Sequence, residues 1–125
     1  MTSKIKRGDI YWASPDEERS IVAGLAHPHV VIQDDIFNQS RITTTVICAL
    51  TSNLKRVTEP GNVMLELSEA GLDKQSVIVV SQISSIPKNQ LGEFIGHLSD
   101  ERVMQILAGI RFQQKPFFKD DCEES

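Results

Sequence analysis

The sequence predicts a mainly β fold, a small curled sheet or barrel, closed by one C-terminal helix. Three observations carry this. Short stretches rich in β-branched and aromatic residues follow one another, turn-forming residues separate them, and a single long amphipathic segment stands near the end. At 125 residues the chain is long enough to bury roughly two thirds of the surface its unfolded form exposes. One domain over residues 1–115 is therefore expected to stand without a metal or disulfide staple.

The first strand is read in DIYWA, from Asp9. A connection, ASPDEERSIVAG, precedes the second, HVVIQ, and DDIFNQS precedes the third, TTTVICAL. EPGN then turns the chain into NVMLEL, whose alternation suits a strand with one wet face. EAGLDKQ leads into QSVIVVSQI. SVIVV and TVICAL are apolar almost throughout, the mark of strands covered on both sides. The helix lies in LSDERVMQILAGIRFQQ, with Ser99 as N-cap and Asp100 and Glu101 against the positive end of its dipole. Val103, Ile106, Leu107 and Ile110 form its apolar face. Shorter helical turns are read in DDIFN and in PKNQLGEF. Pro116 ends the order, and residues 116–125 read as a mobile acidic tail.

The formal charge is −4, of which KDDCEES, with one lysine and four acids, carries −3. The remainder is nearly neutral, so a local basic groove built from Lys4, Lys6, Arg7, Arg19, Arg41, Lys55 and Arg56 stands beside the plainer reading of scattered solvated charges. No apolar run approaches the roughly 20 residues of a membrane span, and MTSKIKRGD lacks the apolar core of a signal peptide. The expectation is a cytoplasmic protein away from the membrane. Cys48 sits in an apolar run and Cys122 in the tail, a pattern of neither metal site nor disulfide framework, and Cys48 is read as buried. No cofactor or metal is expected.

His27, His29 and His97 are the side chains whose ordinary titration falls near neutrality. His29, at the start of HVVIQ, is read as a partly exposed strand residue, and His97 as structural or solvated. His27 differs because Pro28 restricts the backbone before it and has its own φ fixed, so the imidazole is presented from a stiff strand entrance. An ordinary loop histidine remains the competing reading.

The serial set Gly8-Asp9, Pro28, Thr51-Ser52, Ser76-Val77, Gln82 and Leu98-Ser99, within KRGDIYW, HPHVVIQDDIFNQS, TVICALTSNLKR, GNVML, GLDKQSVIVVSQI and IGHLSDERVMQILAGIR, resembles the PemK/MazF family of type II toxin–antitoxin ribonucleases. The resemblance runs over about residues 6–112. It implies an SH3-like barrel of about five to seven strands with a C-terminal helix. It also implies a homodimer, metal-independent cleavage of single-stranded RNA, an inhibitory antitoxin partner, and binding of operator DNA together with that antitoxin.

Such cleavage needs a base for the ribose 2′-hydroxyl, an acid for the departing 5′ oxygen, and donors or cations around the phosphate. The family's pattern places an Arg before the strand-entry proline and a Thr after the apolar strand. The matching positions are His27 and Thr51. His27 is thus the candidate general acid or base and Thr51 the candidate oxyanion donor, the alternative for Thr51 being a strand-end residue bonded to its own backbone. Arg19, Lys55 and Arg56 are candidates for gripping RNA phosphates. Gln82 is read either as base-reading or as a buried strand residue.

Three departures from the family's pattern fall on the site. Imidazole replaces guanidinium at His27, gaining a group suited to proton transfer but losing a permanent charge and a bidentate fork. SIVA (Ser20–Ala23) stands where the family carries a GSEQ-like segment, and Ser84 where an Arg often follows Gln82. Two readings follow: a toxin with a rearranged active site, or a catalytically impaired module that binds a protein target or nucleic acid. The apolar SIVAGLA loop favours the second. A plain dimeric domain with that loop packed at its interface is a third. The acidic tail also raises the idea of a plug folded across a basic groove in cis.

Overall fold

The computed structural model describes residues 4–15 and 26–114. Arg19, the SIVA stretch and the acidic tail with Cys122 lie outside the described residues. Six strands make one antiparallel sheet: β1 (Asp9–Ala13), β2 (His27–Val31), β3 (Thr44–Thr51), β4 (Val63–Met64), β5 (Val77–Pro87) and β6 (Phe94–His97). Their spatial order is β4-β5-β3-β2-β1-β6. A short helix α1 (Asp35–Asn38) follows β2, and α2 (Asp100–Gln113) ends the described chain.

Strand runs near full apolarity occupy the middle of the sheet, as two-sided burial requires. Ile47, Val77, Ile78 and Val79 are wholly buried. One core gathers Ile10, Val30, Cys48, Leu50, Ile78 and Val80 with Leu98 and Ile106 of the helical end. A second, smaller core on Tyr11, Ala13, Val31, Ile47 and Ile86 fills the other face of the curled sheet. Curling is built into β5: Cys48 pairs with Ile83 but Leu50 with Ile78, so β5 gains residues against β3 and bends there.

Several elements depart from the sequence reading. The helical turn expected within PKNQLGEF is a 3-10 turn over Lys88–Gln90, but the segment then gives way to a sixth strand. β6 holds its place because the Leu98 amide donates to Gly8 O (2.9 Å) and His97 Nδ1 lies 2.7 Å from Asp9 Oδ1. The NVMLEL strand shrinks to two residues, Val63–Met64. Leu65 instead turns into the core, its amide donating to Ser76 O at 3.0 Å and its carbonyl accepting Gln75 Nε2 at 2.8 Å. His29 is buried rather than partly exposed, at 6%. It sits between Tyr11 and Ala49 on the neighbouring strands, and its Nδ1 lies 2.8 Å from His27 O.

The helix agrees with its signals. Ser99 Oγ accepts the Arg102 amide at 3.2 Å, and Val103, Ile106 and Gly109 are buried beneath it. Gly109 is required by packing: a Cβ there would overlap the Gly61 carbonyl oxygen. On the other flank a Cβ at Gly96 would overlap Ala70 O, so β6 lies directly against the 3-10 turn Glu69–Gly71. That approach draws the two ends of the sheet toward each other.

Candidate active site

A cleft of about 540 Å³ opens where these ends meet. Its apolar floor is Leu50 and Leu72, both buried. One wall comes from the start of β2, His27 and Pro28, and another from the end of β3, Thr51 and Ser52. The segment Gly71–Lys74 with Ser76 closes a third side, and Glu93, Phe94 and Trp12 the fourth.

Pairing explains why His27 and Thr51 come together. β2 and β3 are bonded at His29–Ala49, Val30–Cys48 and Val31–Ile47. Continued toward the cleft, that antiparallel register sets His27 opposite Thr51, on the same face. The recorded ladder stops at His29–Ala49, and the cleft lies beyond it. His27 is exposed, while Pro28 beside it is half-buried and pairs with Trp12 of β1. Thr51 Oγ1 accepts the Asn53 amide at 3.1 Å. Its oxygen is thereby fixed, and the hydroxyl hydrogen stays available to donate. The two roles read for Thr51 are therefore compatible.

The wall holding Lys74 is anchored. Ser68 and Ala70 take left-handed backbone conformations, φ 69° and 56°. Such residues are strained and need outside support. Glu69 supplies it, accepting Arg102 Nε at 2.9 Å and Nη2 at 3.1 Å from α2, and the Glu66 amide at 2.7 Å. Burial raises the Glu69 pKa, but Arg102 and the Glu66 amide outweigh it and hold the carboxyl below its usual range.

The other residues singled out from the sequence stand apart from the cleft. Lys55 and Arg56 lie on the 3-10 turn Leu54–Thr58, outside the cleft walls. Arg56 is engaged by Glu59, Nε to Oε2 at 2.8 Å and Nη2 to Oε1 at 3.1 Å. Gln82 is exposed rather than buried, on the bent part of β5, and it too is outside the walls, as is Ser84. Cys48 is buried, and its thiol donates to Val79 O at 3.2 Å. His97, paired with Asp9, is structural.

Conversely, the cleft brings in residues that a reading of the sequence passes over: Trp12, Asp73, Lys74, Glu93 and Phe94. Lys74 sits in GLDKQ, which reads simply as a connection, and Phe94 in a stretch read as a helical turn. The signal for Lys74 was its place two residues before Ser76, already within the family-like set.

Residues 6–113 match the family model of the PemK-like, MazF-like toxin of type II toxin–antitoxin systems. Endoribonuclease MazF of Staphylococcus saprophyticus is 33% identical over 102 residues, covering 82% of this chain and 84% of that protein. Endoribonuclease EndoA of Bacillus subtilis is 32% identical over 102 residues, covering 82% and 87%. Among solved structures, a mycobacterial endoribonuclease in complex with its cognate antitoxin has a TM-score of 0.71 at 19% identity, covering 88% of this chain and 94% of that one. MazF from Deinococcus radiodurans also has a TM-score of 0.71, at 16% identity, with 91% and 99% covered. At such identities the structural likeness speaks to the fold.

Proposed function

Since the chain belongs to the PemK-like, MazF-like toxins of type II toxin–antitoxin systems, we propose that it is an endoribonuclease cutting single-stranded RNA in the His27–Thr51 cleft. The observation that carries this reading is the lining of one open cleft by both residues. The 2′-hydroxyl of a ribose attacks the adjacent phosphorus and gives up its proton. The bond to the 5′ oxygen breaks, and that oxygen takes a proton, leaving a 2′,3′-cyclic phosphate and a 5′-hydroxyl. His27 carries one of these proton transfers, and Thr51 donates its hydroxyl to a non-bridging oxygen as charge develops there. The second transfer is open to solvent and to the wall carboxylates Asp73 and Glu93.

Trp12 and Phe94 favour a single strand. They are 39% and 54% exposed in the cleft walls. Phe94 is braced by an edge-on contact with Tyr11, ring centroids 5.6 Å apart. Exposed, braced rings are platforms on which unpaired bases stack. Lys55, Arg56 and Gln82, and Arg19 outside the described residues, would meet RNA only where the strand runs past the cleft.

The mycobacterial endoribonuclease was solved with its cognate antitoxin, and we propose the same class of partner here, masking the cleft, with the toxin acting as a homodimer in the cytoplasm. No helix among the described residues is long and apolar enough to cross a membrane.

The test is incubation of purified protein with long single-stranded RNA in EDTA, alongside the His27→Ala variant. Cleavage by the wild type that falls about 100-fold or more in the variant is the expected outcome. Equal cleavage by both would remove His27 from the mechanism. Growth arrest without RNA decay would point to a protein target.

A further inference from the structure

We propose that Lys74 is the residue that holds the scissile phosphate, supplying the permanent charge that His27 lacks. Among the described residues lining the cleft, Lys74 is the one side chain with a fixed positive charge. Of the other described cations near this end of the sheet, Arg56 is chelated by Glu59, Arg102 by Glu69, and Lys55 stands outside the walls. The Lys74 ammonium makes no hydrogen bond or ion pair among the described residues. It is free to take an anionic ligand.

Its backbone, by contrast, is clamped. Leu72 on one side is buried, at 6%. On the other, Ser76 is buried at 4% and donates its hydroxyl to Lys74 O at 2.9 Å, while Gln75 Nε2 donates to Leu65 O at 2.8 Å. Together with the Glu69–Arg102 tie, this carries the ammonium on an anchored segment of the cleft that His27 also lines.

The chemistry requires such a group. An imidazole that carries a proton through the reaction changes charge as it does so, and the Thr51 hydroxyl is neutral. Neither provides a constant counter-charge to the phosphate. Asp73 and Glu93 in the same walls repel RNA, and Lys74 is the one fixed charge in the described lining that opposes them. A lysine suits this role as a compact point charge.

The proposal rests on the ribonuclease reading for its catalytic part, and binding measurements keep the two separable. Affinity for a mixed-sequence 2′-O-methyl single-stranded RNA, which resists cleavage, is measured against salt for the wild type and for Lys74→Gln, Lys74→Arg and Arg111→Gln. The last is a control on α2, none of whose residues lines the cleft. Cleavage of unmodified RNA is followed in parallel.

Lys74→Gln is expected to weaken binding about tenfold and to lower the slope of log affinity against log salt by about 0.7. Cleavage falls with it. Lys74→Arg stays near wild type, as does the control. Adding His27→Arg to Lys74→Gln restores binding. If the wild type cleaves and Lys74→Gln binds with unchanged affinity and slope, the assignment of Lys74 is overturned and the ribonuclease reading stands. Lys74-dependent binding without any cleavage overturns the ribonuclease reading and upholds Lys74 as the phosphate holder. Absence of RNA binding by the wild type overturns both.

Discussion

On the reading proposed above, Thr51 does two things with one hydroxyl. Its oxygen caps the turn into the next segment by accepting the Asn53 amide, and its hydrogen remains to donate to a phosphate oxygen in the cleft. Thr51→Ala should therefore lower kcat by about 100- to 1000-fold, the effect of losing one oxyanion donor, with KM little changed. Thr51→Ser should keep most of the activity. An Ala variant as fast as wild type would take Thr51 out of the transition state. Cys48 is excluded as a nucleophile on the same scale: burial, above all, pushes its thiol up to about 12, so it stays protonated. The pairing of His27 with Thr51 was expected from the resemblance to the family's pattern, and the two residues line one cleft. The depth of His29 was not, since only the neighbouring strands on both sides of β2 bury it.

Among the elements, α2 braces the cleft. Arg102 reaches from it to Glu69, and both side chains are only about one-fifth exposed, at 21% and 20%. Arg102→Ala should cost about 1–3 kcal/mol in urea unfolding at neutral pH, because it leaves a partly buried carboxylate unpaired. The pair also sets a pH dependence. Glu69 binds its proton less readily when folded than at its ordinary value of 4.5. Its contribution is therefore full above about pH 4.5 and fades as the pH falls through the lower folded value. The stability difference between wild type and Arg102→Ala should shrink over that acid range. A difference constant from pH 7 to pH 3 would show that the two side chains are not coupled. The helix itself was legible, cap and apolar face alike, whereas β6 was not. Its four residues, FIGH, carry little periodicity, and it becomes a strand by pairing with β1.

For the molecule as a whole, closure of the sheet depends on backbones meeting without side chains between them. Gly109 shows which force dominates. In an open helix, replacing glycine by alanine stabilises by about 1 kcal/mol. Here the added Cβ overlaps the Gly61 carbonyl, and forcing α2 away from β5 exposes the core around Ile106, which is fully buried. Overpacking of this kind costs about 1–3 kcal/mol, so Gly109→Ala should unfold at lower denaturant concentration than wild type. A more stable variant would show that the helix rides more loosely on the sheet.

The sequence by itself determined the class of fold, the apolar strand runs, the capped helix and the family, since each rests on local periodicity or on the order of residues along the chain. Only the tertiary structure decided the bend in β5, the sixth strand and the arrival of Lys74, Trp12 and Phe94 in one cleft with His27. The reason is distance along the chain. β6 is held by a contact such as Asp9–His97, whose partners are 88 residues apart, and the cleft joins segments from both ends of the described chain. No local pattern encodes such meetings, which exist only once the sheet has curled and its ends approach.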